Sequence, residues 1–173
     1  MSNDELKNAI RDIHDFPKEG IIFKDITTLL KEPTLLKKTV TELAEPYRDK
    51  KIDYIIGIES RGFILGTPLA IELEAGFIPV RKKGKLPGET RAVTYDLEYG
   101  TDTVEIHTDA LQEGSRVVIC DDLLATGGTC AATVELLESC GAEIEGISFL
   151  VELEFLGGKK KLENQTIYSL VKY

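Results

Sequence analysis

The stretch of residues 117–129 combines two acidic side chains with a glycine-rich turn. Residues 117–120 are apolar and predict a buried strand, so Asp121 and Asp122 are expected to emerge at its carboxyl end. Glycines let backbone N–H groups approach a ligand, and the next helix offers unsatisfied N–H groups and a positive dipole end. Here Gly127 and Gly128 form the turn, and Thr126 and Thr129 add hydroxyl donors. The pattern predicts a phosphate monoester site in which the carboxylates accept hydrogen bonds from ribose hydroxyls.

Two other interpretations are weaker, one for residues 117–129 and one for the glycines near residue 60. A capped helix after a buried strand explains the turn at 126–128, but it does not explain two acidic residues directly after the strand. A Walker A loop is excluded, although Gly57 and Gly62 have its spacing. Phe63 and Ile64 stand where that motif requires a lysine and a hydroxyl residue.

Several segments together resemble a known family. Residues 117–129 resemble the phosphoribosyl-diphosphate binding motif of type I phosphoribosyltransferases. Residues 16–26, 81–88 and 95–100 resemble adenine phosphoribosyltransferases in particular. The resemblance extends from about residue 5 to the end of the chain, so it implies both a fold and a reaction.

The implied fold is a single α/β domain over residues 1–173, with a mostly parallel central sheet flanked by helices. A small N-terminal hood (about 1–33) and a flexible lid loop (about 81–101) complete it. The implied reaction is purine salvage: the 5-phosphoribosyl group of phosphoribosyl diphosphate is transferred to adenine, giving AMP and pyrophosphate. The family also implies Mg²⁺ bound with phosphoribosyl diphosphate, and a homodimer.

The resemblance assigns the phosphoribosyl contacts residue by residue. The loop that begins at Ala125 and ends at Thr129 corresponds to the 5-phosphate site, and Asp121 and Asp122 correspond to the ribose contacts. No protein metal site is expected, because Mg²⁺ would be held mostly by substrate oxygens and water.

The pyrophosphate contacts are expected from two places. Glu59, Ser60 and Arg61 resemble a loop whose first peptide is cis in the family and aims N–H groups at the diphosphate. Arg61 is also expected to be catalytic, although a solvated surface charge is the simpler interpretation. The lid segment carries a cationic cluster of Arg81, Lys82, Lys83, Lys85 and Arg91. This cluster has two interpretations. It is either a solvated positive loop, or a lid that neutralises the leaving pyrophosphate and excludes water.

Within that cluster, Arg81, Lys82 and Lys85 are the expected pyrophosphate contacts. In the family, a basic residue matching Arg81 reaches across a dimer interface. Glu98 lies at the far end of the same segment, and the resemblance implies that it exchanges a proton with adenine N7. Without the resemblance, Glu98 is a solvated loop acid.

The adenine pocket is expected to use the backbone of Ile22 and Lys24, which can read the donor and acceptor edge of a purine. Phe23 would stack on one face of the base and Leu123 would cover the other. A purely structural role in the core is the alternative for Phe23 and Leu123.

Periodicity predicts the elements that position these residues. The expected helices are 3–13, 34–48, 63–74 and 129–140, and the expected strands are 52–58, 77–80, 103–107, 117–120, 147–151 and 167–171. Residues 21–26 are apolar but fit no periodic element. Residues 81–100 predict a long surface loop or a loosely held hairpin. Alternating strands and helices predict an α/β domain whose ligands bind at the carboxyl ends of the strands.

Composition narrows the class of protein. The 173 residues are 42% hydrophobic and 29% charged, as in one soluble globular domain. A net charge of -9 argues against nucleic acid, and no apolar run approaches the ~20 residues that cross a bilayer. The polar first residues do not resemble a signal peptide, so a cytoplasmic protein is expected. The three cysteines fit neither a zinc motif nor a disulfide framework.

Two other functions remain open. A catalytically silent regulator that senses phosphoribosyl diphosphate could carry the same motif, but it would usually add a DNA-binding extension and a basic patch. A phosphoribosyltransferase acting on another base is the second alternative. The basic lid and Glu98 favour transfer, and the segment around Phe23 favours adenine.

Overall fold

The computed structural model describes residues 3–97 and 100–173 and forms an α/β fold. Its helices are α1 (Asp4–Ala9), α2 (Thr27–Leu30), α3 (Pro33–Ala44), α4 (Gly62–Glu72) and α5 (Gly128–Ser139). Its strands are β1 (Arg11–His14), β2 (Ile22–Asp25), β3 (Tyr54–Ile58), β4 (Gly76–Lys82), β5 (Thr90–Asp96), β6 (Thr101–His107), β7 (Arg116–Leu124), β8 (Glu143–Glu152) and β9 (Ile167–Lys172). Short 3₁₀ turns lie at Glu45–Tyr47, Glu154–Leu156 and Gly158–Leu162.

The central sheet has seven strands in the order β5-β6-β4-β3-β7-β8-β9. The strands β4, β3, β7, β8 and β9 pair in parallel, whereas β6 pairs antiparallel with both β4 and β5. A separate antiparallel pair, β1 and β2, lies within residues 1–33, the segment predicted to be a hood, and is called the hood below. The prediction of a mostly parallel sheet flanked by helices is therefore confirmed.

The core lies on both faces of this sheet, as the period of a strand requires. In β7, Val118 and Cys120 pack into the cluster that contains Leu65 and Leu69 of α4. The alternate positions of β7 pack into the cluster that contains the α5 leucines. Because successive side chains of a strand point to opposite faces, both faces of β7 are buried. No helix in the described parts of the chain is long and apolar enough to cross a membrane.

The N-terminal prediction is wrong in its second half. Helix α1 ends at Ala9, and the residues up to His14 form β1 instead of continuing the helix. The segment 21–26, expected to lie outside any regular element, contains β2. Ion pairs between Arg11 and Asp25 and between Lys24 and Asp12 join the two strands. Pairing between separate segments therefore overrides the helical spacing of Ile10 and Ile13.

Two further boundaries differ from the prediction. Of the two alternatives for residues 81–100, the hairpin is the observed one, since β5 pairs with β6 over seven residues. Strand β7 continues to Leu124, so Asp121 and Asp122 lie within the strand and not beyond its end. Its last residues pair with β8, which keeps them in the ladder.

Candidate functional site

A cavity of about 200 Å³ lies at the carboxyl ends of β3 and β7. This is where a parallel α/β sheet binds its ligands. Most of the predicted phosphoribosyl and pyrophosphate residues line it together: Glu59, Ser60, Arg61, Lys82, Asp121, Asp122, Ala125, Thr126, Gly127, Gly128 and Thr129. The structure thus brings into one cavity two loops that lie about sixty residues apart in the chain.

The predicted phosphate loop joins β7 directly to α5. Gly127 has φ +78°, in the left-handed region that favours glycine. A Cβ on Gly127 would stand 2.5 Å from the carbonyl oxygen of Gly158, and a Cβ on Gly158 would collide with the carbonyl oxygen of Ala125. The two glycines therefore let the turn at 157–158 pack against the back of the loop. The first N–H groups of α5 have no intrahelical partner and face the cavity end of the helix.

The two aspartates are held differently although they are neighbours. Asp121 accepts a hydrogen bond on Oδ1 from the backbone N–H of Asp122 at 2.8 Å. Asp122 is 4% exposed, and its Oδ2 lies 3.0 Å from Nε of Arg61. Burial raises the pKa of Asp121, and the adjacent charge of Asp122 raises it further. Burial also raises the pKa of Asp122, while the Arg61 guanidinium works in the opposite direction.

Arg61 links the sheet to the hood. It directly precedes α4, whose first residue Gly62 packs so closely on β7 that a Cβ would stand 2.7 Å from the Cys120 carbonyl oxygen. This close approach brings the Arg61 guanidinium to Asp122 on one side. On the other side, its Cζ lies 5.2 Å from the ring centroid of Phe23, within reach of a cation–π interaction. The peptide between Glu59 and Ser60 is cis, as the resemblance implied.

Glu59 accepts hydrogen bonds from the next strand. Its carboxylate accepts from the backbone N–H of Lys82 at 2.8 Å and from the Arg81 guanidinium at 3.2 and 3.3 Å. Burial opposes the charged form of Glu59, but these donors outweigh it and lower its pKa. Arg81 therefore faces Glu59 within this chain and does not line the cavity. Lys85 is exposed at a turn closed by its N–H bond to the Lys82 carbonyl, and it too lies outside the cavity lining.

Lys82 lines the cavity, but its ammonium group already has partners. Nζ lies 2.5 Å from Oδ2 of Asp102 and 2.7 Å from the hydroxyl of Tyr95. Burial works against its charge, yet Asp102 and Tyr95 raise the pKa of Lys82 overall. The sequence analysis did not identify Tyr95 or Asp102 as site residues. The only feature of the sequence that pointed to Tyr95 and Asp102 was their position in or next to the lid segment, which carries the basic cluster.

The residues predicted to bind adenine are divided between the cavity and the hood. Leu123 lines the cavity, whereas Ile22, Phe23 and Lys24 lie on β2. The ring of Phe23 reaches the site through Arg61. Lys24 directs its ammonium group to Asp12, 2.6 Å away. Glu98, the predicted proton-exchange residue, lies outside the described residues.

Comparisons with known proteins agree with this geometry. The model of the phosphoribosyl transferase domain matches residues 26–169. The chain is 58% identical over 170 residues to the adenine phosphoribosyltransferase of Geotalea uraniireducens, covering 98% of this chain and 99% of the relative.

Two solved structures show the same fold. The crystal structure of adenine phosphoribosyltransferase from Thermoanaerobacter pseudethanolicus has a TM-score of 0.95 and 53% identity, covering 99% of this chain and 100% of the other. The enzyme from Saccharomyces cerevisiae, solved in complex with adenine and an imino-altritol bisphosphate, has a TM-score of 0.92 and 45% identity, with 97% of each chain covered.

Proposed function

Because this chain belongs to the family of adenine phosphoribosyltransferases, we propose that its cavity binds phosphoribosyl diphosphate through the residues that line it. The enzyme transfers the 5-phosphoribosyl group to adenine and forms AMP and pyrophosphate, as a step of purine salvage. One observation above all carries the proposed site: the carboxylates of β7, the loop before α5 and the cis peptide at Ser60 share one cavity.

The 5-phosphate is assigned to the loop between β7 and α5. Its support is the helix N-terminus together with Gly127 and Gly128, which leave backbone N–H groups open to an anion. Asp121 and Asp122 are assigned to the ribose hydroxyls. As carboxylates they accept hydrogen bonds, and their burial makes each such bond strong. Of the two carboxylates, Asp122 is the one paired with Arg61, through Oδ2 at 3.0 Å.

The leaving pyrophosphate is assigned to the N–H groups beside Ser60 and to Arg61. A guanidinium facing the cavity can stabilise negative charge that grows on the leaving oxygen. Arg81, Lys82 and Lys85 are proposed to join this contact when the lid hairpin, β5 and β6 with their flanking turns, lies over the substrate. In this structure Arg81 and Lys82 are paired with carboxylates, so joining the contact requires exchange of partners.

Mg²⁺ is proposed to enter with phosphoribosyl diphosphate. Within residues 3–97 and 100–173, no group of three acidic, histidine or cysteine side chains stands ready to hold a metal alone. The diphosphate supplies the oxygen ligands that Mg²⁺ prefers, and Asp121 and Asp122 are the cavity carboxylates beside it. When bound, Mg²⁺ neutralises charge on the departing pyrophosphate. Chelation by EDTA is expected to abolish turnover, and added MgCl₂ is expected to restore it.

The adenine site is proposed to lie between the hood and Leu123. Ile22 and Lys24 are two residues apart on β2, so their backbone groups point to the same edge of that strand. That edge could read the donors and acceptors of the base while Phe23 covers one face. A panel of adenine, hypoxanthine and guanine, each supplied with phosphoribosyl diphosphate and Mg²⁺, tests the choice of base. Reaction with hypoxanthine or guanine and not with adenine would contradict it.

Glu98 is proposed to exchange a proton with adenine N7, on the strength of the resemblance alone. Glu98→Gln should lower kcat about 10²-fold, because a general acid or base contributes at least that much. Glu89→Gln, the same change in the same segment, is the matched control and should leave kcat within about twofold. Unchanged turnover in Glu98→Gln would remove this residue from the mechanism.

We also propose a homodimer and a cytoplasmic location. Helix α4 exposes Ile71 by 76% and Ile64 by 47%, which suits an interface with another copy. Cys120, Cys130 and Cys140 are all free thiols, as is usual in a reducing compartment. Analytical ultracentrifugation tests the dimer: a single monomeric species at assay concentration would rule it out.

A further inference from the structure

Three elements meet at the hydroxyl of Tyr95. This residue lies on β5, in the lid hairpin. Its Oη stands 2.7 Å from Nζ of Lys82 on β4, 2.9 Å from Oγ1 of Thr129 on α5 and 3.3 Å from Oδ2 of Asp102 on β6. Thr129 is separated from Tyr95 by 34 residues and belongs to the proposed phosphate loop. A single oxygen atom therefore connects the lid hairpin to the loop.

The hydroxyl of Tyr95 is held from several sides. The Lys82 ammonium group can only donate, so the Tyr95 oxygen accepts from it. Tyr95 can donate its own proton to the Asp102 carboxylate at 3.3 Å. The remaining bond joins the hydroxyls of Tyr95 and Thr129 at 2.9 Å, and either oxygen can be its donor.

The bond to Tyr95 holds the Thr129 hydroxyl in one place, and Thr129 lines the cavity. A threonine side chain held by a fixed partner has its hydroxyl in position before a ligand arrives. Such preorganisation reduces the cost of ordering a binding group. The ring of Tyr95 also lies close to Gly128, since a Cβ on Gly128 would stand 3.7 Å from its Cδ2. Tyr95 thus packs on the first residue of α5 as well as bonding to the second.

We propose that Tyr95 is a positioning residue for the 5-phosphate: it orients the Thr129 hydroxyl and fastens the lid hairpin to the phosphate loop. This inference rests on the proposed phosphate role of the loop. It means that affinity for a phosphorylated ribose depends on a residue of the lid that does not itself line the cavity. The Lys82 ammonium group holds the Tyr95 hydroxyl from the other side.

Tyr95→Phe tests the inference because it keeps the ring and removes only the hydroxyl. The KM for phosphoribosyl diphosphate and the dissociation constant of AMP should rise about five- to tenfold, the effect of one lost hydrogen bond. The kcat and the KM for adenine should change less than twofold. Thr94→Val is the matched control: it breaks a 2.9 Å hydroxyl bond to Thr103 between the same two strands, remote from the phosphate loop. It should leave all four constants unchanged.

Thr129→Val separates failure of this inference from failure of the site assignment. If Thr129→Val leaves the KM for phosphoribosyl diphosphate unchanged, the Thr129 hydroxyl does not contact the phosphate and this inference is overturned, while the assignment of the loop through its backbone N–H groups is untouched. If it raises that KM and Tyr95→Phe does not, only the role of Tyr95 is overturned. The double variant should bind AMP no more weakly than Thr129→Val, because both changes break the same chain of bonds. Additive losses would show that Tyr95 acts by another route.

Discussion

The two sides of the cavity are built in opposite ways. The phosphate side, β7 and α5 with the loop between them, comes from consecutive residues whose backbone is buried and braced from behind by Gly158. The opposite side is assembled from the hood and the lid hairpin, whose side chains Phe23 and Tyr95 contact the cavity residues Arg61 and Thr129. Substitutions on the phosphate side should therefore change activity and stability together. Substitutions on the opposite side should change activity while stability stays nearly the same.

Gly127→Ala should give the largest effect on the phosphate side. A Cβ there meets the backbone of Gly158 at 2.5 Å, and the residue needs a positive φ besides. Displacement of the loop by about 1 Å is enough to lower kcat/KM about 10²-fold. The free energy of unfolding should fall by about 2 kcal/mol or more. Steady-state kinetics and urea unfolding measure the two effects.

Gly114→Ala is the control for this variant, because Gly114 has the same φ of +78° but open space around its Cβ position. It should cost about 1 kcal/mol of backbone strain and leave kcat/KM unchanged. Equal behaviour of the two variants would mean that contact with Gly158 does not shape the site.

Asp121→Asn should have an intermediate effect. It should lower activity but raise stability, and so separate the two properties that other changes on the phosphate side alter together. The folded protein raises the pKa of this carboxyl through burial and the charge of Asp122. A carboxyl with a raised folded pKa destabilises the fold once the pH exceeds its ordinary pKa near 3.8, and the penalty grows until the folded pKa is passed. The variant should therefore unfold at a higher temperature than the parent at pH 8, by about 2–4 °C.

The same variant should lower kcat/KM about tenfold, since an amide accepts a hydrogen bond from a ribose hydroxyl less strongly than a carboxylate does. The gain in Tm should shrink as the pH falls and disappear near pH 3, below the ordinary pKa of 3.8, where the parent carboxyl is mostly protonated in both states. Thermal unfolding at the two pH values checks this, and a loss of Tm at pH 8 would contradict the proposed origin of the raised pKa.

Phe23→Leu should give the smallest effect and should leave stability almost untouched. It removes the ring that faces Arg61 and, by our proposal, covers adenine. The KM for adenine should rise about three- to fivefold, the size of one aromatic stacking interaction. Phe16→Leu is the control, because that ring packs against Phe23 in a T-shaped arrangement with a centroid distance of 5.3 Å and is not assigned to the base. A fall in Tm as large as that of Gly127→Ala would erase the contrast between the two sides.

The same contrast explains what could be predicted from the sequence. The phosphate side was predictable because its strand, turn and helix follow one another, so local patterns contain all the information. Its one error, the end of β7, arose because charged residues usually mark the end of a buried strand. Asp121 and Asp122 stay within the strand because pairing with β8 and the contact with Arg61 compensate their burial.

The other side depends on pairing between distant segments, which no local pattern records. Strand β1 has a mostly exposed pattern over four residues, too short to compete with the helical spacing of Ile10 and Ile13. Strand β5 has only exposed and half-buried positions, with no fully buried residue to mark it as part of the core. The contact of Tyr95 with Thr129 follows only from how the hairpin folds back on α5, so neither residue type nor spacing could indicate it.

The turn at 157–158 has a consequence for anyone who redesigns this enzyme. Gly158 binds no substrate in any assignment made above, yet its backbone sets how the loop from Ala125 to Gly127 is shaped. The next residue, Lys159, anchors that turn through an ion pair with the buried Glu152 at 2.9 Å. A mutant library that randomises only the residues around the phosphate would leave the turn at 157–158 unchanged. All of its members would therefore keep the same loop backbone and differ only in their side chains. Altering the length of ligand that the loop accepts requires changes in both segments at once.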